Sequence, residues 1–142
     1  FPTRFWLTCP ALVEEISRLE AAGAADRLEE EMAADPDLAA RVGEDHARHA
    51  AERFAALDPA AREEAERRGL LPYLRDSGVG GQGDPRHLKC LHAHYAHHRA
   101  RGGAVGALLD ARFAPRECGA ERVRCDAFGI KPCDAFGIKP GA

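Results

Sequence analysis

Cysteine and histidine residues crowd one short stretch of the sequence. This stretch, KCLHAHYAHH with one histidine just before it, contains His87, Cys90, His92, His94, His97 and His98. Thiolate sulfur and imidazole nitrogen are the atoms that zinc binds, at about 2.0–2.3 Å, and imidazole alone also suits iron, copper or nickel. The stretch therefore predicts a metal site, with zinc as the first expectation and iron as the second.

A helix through this stretch would bring most of these side chains to one face. At about 100° per residue, one arc about 100° wide holds His87, Cys90, His94, His97 and His98. Cys90 and His94 lie four residues apart, as do His94 and His98, so each pair can aim at one ion. His92 falls on the opposite side of the helix. The predicted ligands here are Cys90, His94 and His98, with His87, His92 and His97 as alternates.

The remaining ligands must come from elsewhere in the chain. Cys9 precedes Pro10, a residue type that fits the first position of a helix, and a helix N-terminus stabilises a thiolate. Cys118 is a further predicted ligand, and His46 and His49, three residues apart, are alternates. The five cysteines lack the spacing of a disulfide framework, so we expect free or metal-bound thiols in a reducing, cytoplasmic compartment.

Three classes of function fit these residues. A site closed by four protein ligands would be structural, whereas an open position would let a zinc-bound water support hydrolysis. A second class is a non-catalytic interaction module, which would bind a partner through the aromatic segment FPTRFWLT and the histidine-rich helix. A third class is a metal-free cysteine enzyme, in which Cys90 is the nucleophile and His94 its hydrogen-bond partner.

Apolar residues recur at helical spacing along most of the chain, and its many alanine, glutamate and arginine residues favour helices. Helices are predicted at about 10–22, 25–34, 36–57, 59–68, 85–101 and 104–113. Residues 70–76 are interpreted as a turn or a broken helix around Pro72. No stretch alternates like a strand, so we predict a small, compact, all-α domain of five to six helices with an irregular aromatic N-terminal arm.

The predicted domain covers residues 1–124, and residues 125–142 form a tail in which the octapeptide CDAFGIKP is written twice. An ancient repeat would have drifted, so we expect this tail to be disordered or an artefact and to add no native function. A net charge of −3 provides no field that would recruit nucleic acid. No apolar run reaches the roughly 18 residues of a membrane helix, so we expect no membrane span.

Two blocks of the sequence resemble a bacterial family. One is FPTRFWLTCP, residues 1–10, with PALVEEISRLEAAG following, and the other is GVGGQGDPRHLKCLHAHYAHH, residues 78–98. Through these blocks the chain is similar, over residues 1–113, to a family catalogued as domain of unknown function 501. The positions that match the family pattern are Thr8, Cys9, Pro10, Lys89, Cys90, Leu91, His92 and His94.

The resemblance implies a small bacterial, cytoplasmic protein. Genes of the family often lie near a divisome component of the septum-initiator type and near an exopolyphosphatase-like gene, which implies a partner in cell division or in the cell envelope. The resemblance also makes Cys9, Cys90 and His94 the strongest ligand candidates taken together. Family members usually carry an upstream segment with a further cysteine, and they tend to read N-P-V-G where this chain has G-A-V-G at 103–106.

Overall fold

A computed structural model describes residues 3–116 and 138–140 of the protein. The helices are α1 Pro10–Ala21, α2 Ala24–Ala34, α3 Pro36–Ala55, α4 Pro59–Arg67, α5 Leu71–Asp76, α6 Leu91–Arg101 and α7 Ala104–Phe113. Two short strands, β1 Phe5–Leu7 and β2 Ile138–Pro140, and a 3₁₀ turn at Val79–Gly81 complete the described elements. None of these helices is long and apolar enough to cross a lipid bilayer. The prediction of a small all-α domain is confirmed.

Helix starts follow the capping residues of the sequence. The Asp35 carboxylate accepts the N–H groups of Asp37 and Leu38 at 3.0 and 3.1 Å, at the start of α3. The Asp58 carboxylate accepts the N–H of Ala61 at 2.7 Å, at the start of α4. Both helices carry proline in their first turn, where its missing N–H is not needed. These two starts agree with the predicted ones.

The described residues form seven helices and not five to six, because the segment around Pro72 forms α5. Pro72 lies in the first turn of that helix, so its ring interrupts no helical hydrogen bond. Buried Arg53 of α3 donates to the carbonyl oxygens of Leu74 and Ser77, at 2.7 and 2.5 Å. These bonds supply partners for backbone groups at the C-terminal end of α5 and fix it against α3.

The aromatic arm is more regular than predicted. β1 pairs antiparallel with β2, with Phe5 opposite Pro140 and Leu7 opposite Ile138. Aromatic residues favour strands, but a run of three residues is too short to show alternation in a sequence. Residues 138–140 belong to the predicted tail, and the rest of that tail lies outside the described residues.

α6 begins at Leu91 and not near residue 85, which corrects the sequence prediction. The Asp84 carboxylate accepts the N–H of Arg86 at 3.0 Å, and this local turn competes with a helix start. The N–H of Leu91 donates to the Glu20 carboxylate of α1 at 2.5 Å. The cap of α6 therefore comes from another helix, and Cys90 stands just before α6 in extended backbone, at φ −163° and ψ 121°.

α6 lies at the centre of the fold, where it packs on α1, α7 and β1. Its buried Leu91 and Tyr95 belong to one hydrophobic core with Leu12 of α1 and Leu109 of α7. The Tyr95 hydroxyl donates to the Asp110 carboxylate at 2.7 Å, so this buried polar group keeps a partner. The residues just before α6 are thereby held next to the end of α1.

Two glycines provide a matched test of this packing. Gly106 lets α7 approach α6 closely, and a Cβ added there would overlap the side chain of His98. Gly43 lies inside α3, with nothing within 4 Å of an added Cβ. We expect Gly106→Ala to lower the free energy of unfolding by about 1–3 kcal/mol. We expect Gly43→Ala to raise it by about 0.5–1 kcal/mol. Urea unfolding followed by circular dichroism measures both, and effects of the same sign would contradict the described packing.

Candidate metal centre

Three side chains with metal-binding atoms come together where α1 ends and α6 begins. Ligand atoms of Glu20, Cys90 and His92 lie within 4.8 Å of one another. In the part of the chain that the structure describes, no other group of three or more cysteine, histidine or acidic side chains converges so closely. All three side chains are partly exposed, so the group is accessible to an ion from solution.

Glu20 and Cys90 face the same ring nitrogen. One carboxylate oxygen of Glu20 accepts the N–H of Leu91, and the other lies 3.1 Å from Nδ1 of His92. The extended backbone of Cys90 places its Sγ 3.7 Å from that same Nδ1. A carboxylate oxygen of Glu20 and the sulfur of Cys90 thus both lie close to Nδ1 of His92. All three side chains meet at the start of α6.

The other edge of the His92 ring shows which nitrogen carries the hydrogen. Nε2 lies 3.2 Å from the carbonyl oxygen of Val13 and 3.1 Å from the hydroxyl of Ser17. A carbonyl oxygen only accepts hydrogen bonds, so Nε2 carries a hydrogen. In the neutral ring, Nδ1 then presents its lone pair to Cys90 and Glu20. A backbone carbonyl in this position is what commonly fixes the tautomer of a metal-binding histidine.

Hydrogen bonds among these three atoms need a hydrogen, which either the Cys90 thiol or a protonated His92 ring can supply. The hydrogen bond to Cys90 raises the pKa of His92. The Val13 carbonyl and the Glu20 carboxylate also raise this pKa, while burial opposes them. A divalent cation would satisfy the same three atoms at once. The geometry therefore suits a cation, either a shared proton or a metal ion.

A cavity of about 320 Å³ opens beside this group, and its walls are mostly apolar. The lining residues are Thr3, Phe5, Trp6, Leu7, Val13, Gly80, Lys89, Cys90, His92 and Ala93. The two aromatic residues of β1 differ in burial, since Phe5 is 6% exposed and Trp6 is 56% exposed. Phe5 therefore fixes the arm to the fold while Trp6 stays accessible. Recognition of a cell-division or envelope partner by this arm stays a prediction.

The helical wheel drawn from the sequence is wrong for this stretch. It placed Cys90 inside a helix beside His94, with His92 pointing away from both. Because Cys90 precedes α6 in extended backbone, its sulfur meets His92 instead. The predicted ligands His94 and His98 are not members of the converging group. His92, an alternate in the sequence prediction, is the histidine that the structure brings to Cys90.

Two other histidines of the stretch are engaged elsewhere. His98 contacts the carbonyl oxygen of Gly103 through Nδ1 and the Asp110 carboxylate through Nε2, each at 3.0 Å. These contacts join α6 to α7 and occupy both ring nitrogens. His87 is exposed, and its Nδ1 lies 3.0 Å from the Glu29 carboxylate of α2. Both rings therefore serve contacts between elements in this structure.

The remaining ligand candidates show what the sequence could and could not reveal. Cys9 is buried in the hydrophobic core and lies outside the converging group. Cys118 lies outside the described residues. Glu20 was missed, because its meeting with Cys90 depends on tertiary packing. One feature of the sequence could have pointed to Glu20: it lies in the last turn of the predicted first helix, where a negative charge interacts unfavourably with the helix dipole.

Four histidines form a buried cluster of their own, which we call the histidine cluster: His46 and His49 of α3, and His94 and His97 of α6. Their rings meet edge-on in two pairs, His46 with His94 and His49 with His97, with centroids 5.3 Å apart in each pair. Nε2 of His46, Nε2 of His94 and both nitrogens of His97 are buried without a hydrogen-bond partner. Within the described residues, these nitrogens do not converge in threes. The predicted ligand His94 and the alternates His46, His49 and His97 are thus brought together, but without the geometry of a preformed metal site.

The charge state of the histidine cluster follows from burial. Nδ1 of His46 accepts the N–H of Val79 at 3.0 Å, so Nε2 carries the hydrogen in the neutral ring and offers no lone pair. Burial lowers the pKa of His46. It also lowers the pKa of His94 to about 3 and that of His97 to about 4. These three rings are therefore uncharged near neutral pH.

The described helices define a small helical domain with a partly exposed Glu–Cys–His group at a junction of two helices. The chain belongs to the family described as Protein of unknown function (DUF501), whose model matches residues 1–110. The resemblance of its two sequence blocks is thereby confirmed. No curated protein and no solved structure matches the chain.

Proposed function

We propose that the protein binds one zinc ion through Glu20, Cys90 and His92. The observation that carries this proposal is the convergence of a thiol sulfur and a carboxylate oxygen on the Nδ1 lone pair of His92. Thiolate, imidazole and carboxylate are the donors that zinc accepts. Magnesium and calcium prefer oxygen ligands, so the cysteine in this group argues against both ions. Iron is the second choice, since it also accepts these donors.

The number of ligands favours a reactive site over a closed structural one. Structural zinc sites use four protein ligands, whereas catalytic sites use three and keep the fourth position for water or substrate. Three side chains converge here, and two of them, Cys90 and His92, line the cavity. When bound, zinc would supply Lewis acidity at the cavity wall, which suits hydrolysis. We therefore place a hydrolytic role ahead of a structural one.

Metal content and one matched pair of variants test the proposal. Protein purified without a histidine tag and reconstituted with zinc should hold about one zinc per chain, and a content below about 0.1 would reject the site.

Glu20→Gln should weaken zinc binding by about 10- to 100-fold, because the amide keeps an acceptor for Leu91 but loses the negative charge. Glu15→Gln is the control, since Glu15 pairs with Arg18 on the same helix. Competition with a zinc chelator measures both affinities, and equal affinities would remove Glu20 from the ligand set.

A metal-free cysteine enzyme is the second candidate, and the contact between Cys90 and His92 favours it. The hydrogen bond to Cys90 raises the pKa of His92, and an adjacent histidine is the usual base partner of a cysteine nucleophile. In this alternative His92, and not the predicted His94, would be the partner of the nucleophile. The zinc measurement separates the two candidates, because the cysteine enzyme holds no zinc at Cys90.

A further inference from the structure

We infer that the cavity beside the zinc site binds a small carboxylic acid with an apolar chain, an inference that rests on the proposed zinc site. The cavity measures about 320 Å³, which is near the lower end of the volumes of ligand pockets, about 300–1,000 Å³. Two of its ten lining residues are the proposed zinc ligands Cys90 and His92. A molecule held there would therefore touch the metal and the apolar walls together.

The walls suit an alkyl chain. Phe5, Leu7, Val13 and Ala93 contribute apolar side chains to the lining, and burial of such surface favours apolar ligands. The wall formed by Phe5 is fixed, since that residue is buried and its ring lies 6.2 Å from the ring of His97. The pocket therefore exists before a ligand arrives, which lowers the ordering cost of binding.

The polar part of the pocket suits a carboxylate. Three protein ligands leave the fourth position of a tetrahedral zinc open, and a carboxylate oxygen is an accepted zinc ligand. The exposed Lys89 also lines the cavity and adds a second positive charge. An alcohol of equal length would contact the same apolar walls but would bring no negative charge to the zinc ion or to Lys89. The pocket is therefore expected to distinguish an acid from its alcohol.

The protein carries its own reporter for this site. The chain contains one tryptophan, Trp6, and that side chain lines the cavity. Its fluorescence should therefore change when the cavity fills. Octanoate and octanol serve as the charged and uncharged probes, each added to the full chain with zinc and without it.

Octanoate should shift the Trp6 emission of the zinc-loaded protein in a saturable way. We expect octanol, and octanoate on the zinc-free protein, to bind at least about tenfold more weakly. Lys89→Met, which removes a surface charge and keeps the length of the side chain, should weaken octanoate binding by about two- to fivefold. Ala93→Leu should fill the pocket and abolish the response, while the control Ala100→Leu, on the same helix but outside the lining, should retain it.

Two results would overturn the inference. One is an unchanged Trp6 emission in octanoate when the protein holds one zinc per chain, in which case the zinc site stands and the ligand pocket does not. The other is equal affinity for octanoate and octanol, which would deny the carboxylate any contact with zinc. Absence of bound zinc would reject the zinc site and this inference together.

Discussion

Replacement of Cys90 with serine is expected to weaken zinc binding by at least about 100-fold, since loss of even an outer partner of a zinc ligand costs about 10- to 100-fold. The Cys90 sulfur lies 3.7 Å from Nδ1 of His92, and cysteine sulfur is a preferred zinc ligand. A serine hydroxyl stays protonated near neutral pH and is a poor zinc ligand. Chelator competition at pH 7.5 measures the loss, and circular dichroism checks that the variant folds.

Cys9→Ala is the matched control for this variant. Cys9 is the other described cysteine, and the sequence predicted it as a ligand, but it is buried in the hydrophobic core outside the converging group. We expect Cys9→Ala to keep its zinc affinity within about threefold while it lowers the free energy of unfolding by about 1 kcal/mol. Loss of zinc from Cys9→Ala, with full binding in Cys90→Ser, would contradict the proposed ligand set.

Acidification of the zinc-free protein from pH 6.5 to pH 4.5 is expected to lower its free energy of unfolding steeply. Burial holds the pKa of His94 at about 3 and that of His97 at about 4, while the unfolded chain takes up these protons below about pH 6.5. The stabilisation is therefore complete above pH 6.5 and is lost as the pH falls towards the folded values. Each histidine contributes a slope of about 1.4 kcal/mol per pH unit, so the two together remove about 5 kcal/mol over this interval.

Urea unfolding at a series of pH values measures this slope. His94→Leu should reduce it by about a third to a half, because leucine fills the buried position without a titrating group, while His97 and His46, whose pKa burial also lowers, still titrate. His87→Gln is the control, since His87 is exposed and lies against Glu29, away from the histidine cluster. An unchanged slope in His94→Leu would show that other groups govern the acid response. Zinc is left out because its own binding depends on pH.

Much of the fold could be predicted from local sequence signals. Asp35 and Asp58, each followed by proline, cap α3 and α4, which begin where the sequence predicts them to begin. The start of α6 could not be found in this way, because its cap comes from Glu20 on another helix. The same pattern of aspartate and proline at residues 84–85 forms a local turn instead of a helix start. In this chain an aspartate–proline pair therefore marks a helix start at two of its three positions.

The candidate site, like the fold, combines features that local sequence reveals with features that depend on tertiary packing. The sequence singled out Cys90, which belongs to the converging group, because cysteine and histidine chemistry is visible from residue types alone. It paired Cys90 with His94, whereas the structure brings His92 to Cys90, because a helical wheel applies only to residues that are inside the helix. The meeting of His46 with His94 across α3 and α6 likewise depends on packing and leaves no local pattern. Distances between ligands on different elements therefore require the structure.

X-ray absorption at the zinc edge of the reconstituted protein tests the central claim most directly. Zinc bound by Glu20, Cys90 and His92 should show one sulfur neighbour at about 2.3 Å with the other neighbours, nitrogen or oxygen, at about 2.0–2.2 Å. Cys90→Ser should lose the sulfur neighbour. A zinc ion surrounded by nitrogen and oxygen alone in the unmodified protein, as the histidine cluster would provide, would contradict the proposed site.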